Sequence, residues 1–232
     1  MNALLGLPPR RGLLAIALAL GGLSVLASAQ TPRLDPKDLR AINVEVSAAT
    51  YRGRAATRLV ERYATPPLAG GEAIAIVPGT DFVNGVIELD VASRLAPGAS
   101  ATARGFVGLA FDVTEGGSRF KSFYLRPTNG RADDQLRRNH STQYTSIPEY
   151  PWNRLRKEEP GVYESYVDLE VDAWTRMRVV VEGTKASLFV NGAEQPCLII
   201  NDLKHAARGG AIALWIGAGT EAYFTNLRIE RR

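Results

Sequence analysis

Gly85-Val86-Ile87-Glu88-Leu89-Asp90-Val91 sets Ile87, Leu89 and Val91 on one face and Glu88 and Asp90 on the other. Phe106-Val107-Gly108-Leu109-Ala110-Phe111-Asp112-Val113 repeats the rhythm, with Val107, Leu109, Phe111 and Val113 against Gly108, Ala110 and Asp112. A period of two marks a strand that buries one face. Phe120 to Arg126 follows the same rule, Phe123 and Leu125 opposing Tyr124 and Arg126. Working outward, the pattern predicts further strands over 44–48, 58–62, 73–77, 162–169, 175–182, 186–190, 198–201, 211–216 and 222–230. Turn signals punctuate them: Pro78-Gly79, Asn84-Gly85, Gly116-Gly117, Glu182-Gly183 and Asn191-Gly192. A short helical turn is expected over 37–41. Many short strands without a long helix or repeat bury their apolar faces best as two antiparallel sheets packed face to face. The expected fold is an all-β sandwich.

The amino end reads as an export leader. Arg10-Arg11 precedes an apolar run over 13–26, and Ala27-Ser28-Ala29 gives a small-x-small cleavage pattern. The run is interrupted by Gly21-Gly22 and is short of the roughly 20 apolar residues a membrane span needs. Cleavage is expected after Ala29, leaving residues 30–232 as a single domain without a membrane span, periplasmic or secreted. The arginine pair leaves the export route open between the general and twin-arginine systems. Removing the leader lowers the formal charge from +4 to +2, and no Lys/Arg block follows a phosphate backbone, so nucleic acid is not an expected partner. Cys197 is the sole cysteine. An exported chain without a disulfide depends on its core, and Cys197, between Pro196 and Leu198-Ile199-Ile200, reads as a buried small apolar side chain.

Residues 127–160 break the alternation. They hold few aliphatic residues and many functional ones, among them Asn129, Arg131, Asp133, Asp134, Arg138, His140, Tyr144, Tyr150 and Trp152. So long a connection in a compact domain is commonly a binding loop or lid. The alternative is a disordered surface insertion, against which the aromatics count.

Two carboxy-terminal stretches resemble a known superfamily. Trp174-Thr175-Arg176-Met177-Arg178-Val179-Val180-Val181-Glu182-Gly183 leads into Ala186-Ser187-Leu188-Phe189-Val190-Asn191-Gly192, and Gly210-Ala211-Ile212-Ala213-Leu214-Trp215-Ile216-Gly217 into Ala222-Tyr223-Phe224-Thr225-Asn226-Leu227. These are similar to the hairpin and closing strands of concanavalin A-like lectin/glucanase and laminin-G-like domains, and to the exported bacterial branch of 3-keto-disaccharide hydrolase-like domains. The resemblance implies a jelly-roll sandwich and carbohydrate as the partner. Asn191-Gly192 suits a type I′ turn, both residues taking positive φ, and Trp215 and Phe224 are large enough to fill a core.

Such a superfamily carries many functions, so the site must be argued from residues. Retaining glucanases need two carboxylates about 5 Å apart. Glu88 and Asp90 begin that motif, but Ser93 stands where its third acid belongs, and the two acids read as a solvated strand face. The resemblance to the 3-keto branch implies instead an enzyme that removes a proton next to a ketone. By their own chemistry, without a family residue matched to them, His140 beside carboxylates and guanidinium groups would be the base and Arg126 or Arg138 would steady the enolate. His205 sits in a basic, exposed turn. The leading expectation is a carbohydrate-binding or carbohydrate-active domain with His140 and Arg138 as catalytic candidates and Tyr124, Arg126, Asn129, Arg131, Tyr144 and Trp152 contacting the sugar. A non-catalytic structural or adhesion module is the alternative. One histidine beside Asp133 and Asp134 lacks the spacing of a zinc site, so no metal and no cofactor is expected. If 127–160 forms the site, Arg126, Asn129, Arg131, His140 and Trp152 should surround one concavity.

Overall fold

The computed structural model describes residues 28–62 and 72–232. The expected leader falls almost wholly on residues 1–27, outside the described residues.

The described residues form two antiparallel sheets. The first contains β1 (Ser28–Gln30), β3 (Val44–Tyr51), β4 (Arg54–Glu61), β6 (Gly85–Leu95), β11 (Thr175–Glu182), β12 (Lys185–Val190), β13 (Leu198–Ile200) and β15 (Thr220–Arg231). The second contains β2 (Arg40–Ile42), β5 (Ala73–Phe82), β7 (Val107–Val113), β8 (Phe120–Leu125), β9 (Thr142–Ile147), β10 (Glu164–Ser165) and β14 (Gly210–Ile216). The first sheet runs β13-β12-β11-β6-β15-β4-β3 with β1 on β15, the second β10-β9-β8-β7-β14-β5-β2. Neighbours distant in sequence close both sheets, as a jelly-roll sandwich requires. The turn expected over 37–41 is a 3-10 turn at Pro36–Asp38.

The core lies between the sheets. Ile87, Leu89 and Val91 face Leu109, Phe111, Phe123 and Leu214 within one buried cluster. Each such side chain contributes about 1.5–3 kcal/mol, enough to hold a chain that has one cysteine. Cys197 is half-buried, and burial pushes its thiol up to about 11.

Several sequence expectations change at bulges. Val113 leaves the face of Phe111 because Asp112 takes φ 55°, and the pairing of β7 with β14 shifts there. Val113 joins a second apolar cluster on the outer face of the second sheet. Asn226, φ 56°, does the same in β15, so that Phe224 and Leu227 both reach the core across a register shift. Such an extra residue flips the alternation. Pro78-Gly79 lies inside β5, where the pairing with β14 shifts register between Val77 and Phe82, rather than in a turn between strands. Asn191 and Gly192 have φ 53° and 74°, as expected, but they open a longer connection from β12 to β13. Gly85 is obligatory, since a Cβ there would stand 1.8 Å from the Glu230 carbonyl oxygen.

Asp90 corrects the reading of a solvated strand face. It is 4 % exposed and accepts hydrogen bonds from Arg54, Arg176 and Asn226. Burial alone would raise its carboxyl, but those donors outweigh it and hold it below the usual carboxylate range. Glu88 shares that face and pairs with Arg178 at 3.4 Å.

Residues 127–160 are not a loop. They fold as α1 (Pro127–Gly130), α2 (Gln135–Asn139), β9 and α3 (Trp152–Glu158). Thr142 to Ile147 pairs in full register with β8, its many hydroxyls hiding an ordinary alternation. The strand expected over 162–169 shortens to β10, which pairs only with β9.

Candidate functional site

One cross-strand row organises the outer face of the second sheet. Ile74 of β5 pairs with Trp215 of β14, Trp215 with Gly108 of β7, Gly108 with Tyr124 of β8, Tyr124 with Gln143 of β9, and Gln143 with Glu164 of β10. Paired residues project from the same face. Gly108 offers no side chain between Trp215 and Tyr124, so their rings meet over it, centroids 4.4 Å apart and 25° from parallel. A Cβ on Gly108 would fall 2.1 Å from the Phe123 carbonyl oxygen. Trp215 was expected in the core; its parity, with Ala213 and against Leu214 and Ile216, turns it outward instead.

Above this row lies a concavity of about 1500 Å³. Tyr124 and Trp215 form its floor, 3 % and 7 % exposed. Trp152 and Tyr166 stand at its rim, far more exposed. Phe106 meets the Tyr124 ring edge-on at 6.1 Å.

Polar groups line the rest. Arg126 follows β8, and its guanidinium donates to the His140 carbonyl at 2.9 Å, to Gln143 Oε1 at 3.0 Å and to the Tyr124 hydroxyl at 3.1 Å. It lies over the Tyr124 ring at 5.0 Å. Burial lowers its pKa, because the charged form is the one that loses water. Asn129 ends near the same carbonyl, donating from Nδ2 at 3.2 Å. His140 follows α2, and its Nδ1 lies 2.7 Å from Glu164 Oε2, though out of hydrogen-bond alignment. Burial holds the imidazole below its ordinary value, and the charge of Glu164 only partly opposes this. Arg156 of α3 clamps Glu164 with Nε–Oε1 at 2.9 Å and Nη2–Oε2 at 2.6 Å, the bidentate geometry of a strong pair. At the opposite edge, Trp215 Nε1 donates to Glu72 Oε2 at 2.8 Å, and burial raises the Glu72 carboxyl. Burial likewise raises the Tyr124 hydroxyl to about 12, so it stays protonated.

Of the residues named from sequence, Tyr124, Arg126, Asn129, His140 and Trp152 line this concavity. Three do not. Tyr144 alternates onto the inner face, fully buried against Phe123 and Tyr163, and its hydroxyl accepts the Lys204 amide at 3.0 Å. Arg131 turns away to Asp168 at 2.9 Å and Glu170 at 3.3 Å. Arg138 lies over the Tyr166 ring at 5.2 Å and donates to its hydroxyl, while its neighbour Arg137 faces the concavity. His205 is at the surface, as expected, with Ser146 and Glu149. Sequence reading missed Gly108, Gln143, Glu164, Arg156 and Glu72. Alternation marked the parity of Gly108, but only pairing aligns it with the others.

A neutral imidazole beside a carboxylate can accept a proton at Nε2, and a buried guanidinium can steady an oxyanion. Among the described residues, no group of three His, Cys, Asp or Glu side chains is placed to hold a metal ion.

The chain is a two-sheet antiparallel jelly-roll sandwich with an aromatic-floored concavity on one outer face. No family model matches its sequence, and no curated protein does. Among solved structures it is similar to the carbohydrate-binding module CBM66 from Bacillus subtilis, with a TM-score of 0.56 and 10 % identity over 83 % of this chain and 95 % of that one. It is also similar to a Bacillus subtilis protein of unknown function with a galectin-like fold, with a TM-score of 0.53 and 13 % identity over 85 % and 92 %. At these identities the likeness is one of fold. No helix among the described residues is long and apolar enough to cross a membrane.

Proposed function

We propose that the protein binds a saccharide in the concavity above Trp215 and Tyr124. One observation carries this: a single cross-strand row brings an aromatic pair, Gln143 and Glu164 onto one face, with Arg126 and His140 beside them. A pyranose ring has apolar C–H faces that pack on aromatic rings and hydroxyls that need fixed donors and acceptors. A concave site with an apolar floor and a few convergent polar groups suits such a ligand. The exposed Trp152 adds a platform at the rim. The likeness to a carbohydrate-binding module is consistent with the reading, though at the level of fold alone. Isothermal titration against a panel of oligosaccharides tests it, with Trp152→Ala as the control. Binding weakened in the variant is expected; a folded protein that binds no glycan refutes the reading.

The close approach of His140 to Glu164 favours a second reading, catalysis on a 3-keto-disaccharide of the kind the resemblance implies. The neutral imidazole would take the proton next to the ketone, and Arg126 would steady the enolate. Incubation with 3-keto-trehalose and measurement of released sugar tests it. Turnover that survives His140→Ala removes the assignment. Residues 1–29 are proposed as a cleaved export leader, which amino-terminal sequencing of the protein from the exported fraction would check.

A further inference from the structure

Three arginines around the concavity lack a counter-ion. Among the described residues, no carboxylate oxygen lies within 4 Å of Arg104, Arg126 or Arg137. The remaining segments, 1–27 and 63–71, contain no Asp or Glu that might supply one. Arg126 is only 5 % exposed, and its acceptors are all uncharged: a carbonyl, an amide and a phenol. Arg104 donates only to the Ala101 and Ala103 carbonyls, at 2.8 and 2.7 Å. Arg137 has long contacts of 3.3–3.4 Å to Thr128 and Asn129.

The three are tied together. Thr128 donates to the Arg104 carbonyl, the Thr128 carbonyl accepts from Arg137, and Asn129 and Arg126 share the His140 carbonyl. All three line the concavity. Leaving a buried charge unpaired costs several kcal/mol. Elsewhere in this protein buried charges are paired, as Asp90, Glu164 and Lys121 with Asp112 are. Burial lowers Arg104 and Arg126, and the like charge of Arg137 adds to the lowering of Arg104. The lining carboxylates do not redress the balance. Glu164 is taken by Arg156, Glu61 accepts the Gly219 amide, and Glu72 accepts the Trp215 indole N–H.

We infer that the concavity selects an acidic saccharide, and that Arg126, Arg104 and Arg137 receive the carboxylate of a uronate residue while its ring lies toward Tyr124 and Trp215. This rests on the saccharide reading above and narrows it. A carboxylate matches the planar fork of a guanidinium and restores the missing counter-charge. A sulfate ester offers the same oxyanion chemistry, so the experiment separates the two.

The test is titration calorimetry with an oligogalacturonate, the corresponding neutral galacto-oligosaccharide and a sulfated galacto-oligosaccharide, each at about 20 mM and about 300 mM salt. The uronate should bind at least about tenfold more tightly than the neutral sugar. That gap should narrow at the higher salt and close in Arg104→Gln/Arg137→Gln. Should the double variant fail to fold, Arg104→Gln alone serves, since it loses only two contacts to carbonyls of its own loop. Equal or tighter binding of the neutral sugar overturns the inference and leaves the saccharide reading standing. Preference for the sulfated sugar overturns the assignment to a uronate. A preference for uronate that persists in the arginine variants overturns the role given to those residues. If none of the three sugars binds the folded protein, the inference and the reading beneath it fall together.

Discussion

Replacing Arg126 with Met should separate stability from function. The guanidinium makes three hydrogen bonds of 2.9–3.1 Å. Bonds to a charged group contribute about 1.5–3 kcal/mol each, and stacking over Tyr124 at 5.0 Å adds about 1–2 kcal/mol. Against this stands the several kcal/mol lost in desolvating a charge that is 5 % exposed and has no carboxylate partner. Met keeps the apolar stem and gives up the charge with its burial cost. The His140 carbonyl retains the Asn129 amide donor and Gln143 Nε2 keeps its bonds to the Tyr144 and Tyr163 carbonyls, but Gln143 Oε1 and the Tyr124 hydroxyl lose the donor they share. The released burial cost offsets part of this and the two orphaned acceptors set the remainder, so Arg126→Met should lower unfolding free energy by about 2–4 kcal/mol. Saccharide affinity should also fall at least about tenfold. Urea unfolding followed by tryptophan fluorescence measures the first, with the slope checked for two-state behaviour; titration calorimetry measures the second. A loss of more than about 4 kcal/mol would show that Arg126 is a structural cation whose partners cannot do without it. Unchanged affinity would refute its place in the site.

Tyr144→Phe should lower stability by about 1–2 kcal/mol through the orphaned Lys204 amide and leave glycan affinity unchanged; weakened binding would return Tyr144 to the site. Gly108→Ala should cost about 3 kcal/mol or more, seen as a large fall in melting temperature, because its Cβ collides with the Phe123 carbonyl and wedges the Tyr124–Trp215 stack. For His140 the imidazole is lowered in the folded protein, so the unfolded chain binds the extra proton as pH falls through 6.5. Stability is therefore lost below that pH, and melting curves of His140→Gln should show a shallower loss; an equal slope would exclude the residue. Glu221 behaves in the usual acid sense. Burial would raise it, but hydrogen bonds from Arg94, Tyr223 and Arg58 hold it at about 2, so its contribution is present above 4.5 and lost as pH falls toward about 2. Glu221→Gln should flatten that acid limb in urea titrations.

The alternation in 85–91 and 120–126 fixed the inner and outer faces of β6 and β8 correctly, because side-chain period in a strand is local geometry. It failed where one residue adopts positive φ, at Asp112, since nothing in its neighbours announces a bulge. It failed again in 142–147, where hydroxyl-rich residues concealed a strand.

Composition and period alone therefore determined an all-β sandwich, an aromatic and arginine-rich segment near residue 140, and the outward parity of Tyr124 and Arg126. They could not place Trp215, Gly108, Gln143 or Glu164 beside Tyr124. Those residues come from strands far apart in the chain, and their alignment is set by the register of backbone hydrogen bonds between strands. The absent counter-ions of Arg104, Arg126 and Arg137 were equally invisible, because acids abound in the sequence and only packing decides which of them each arginine meets.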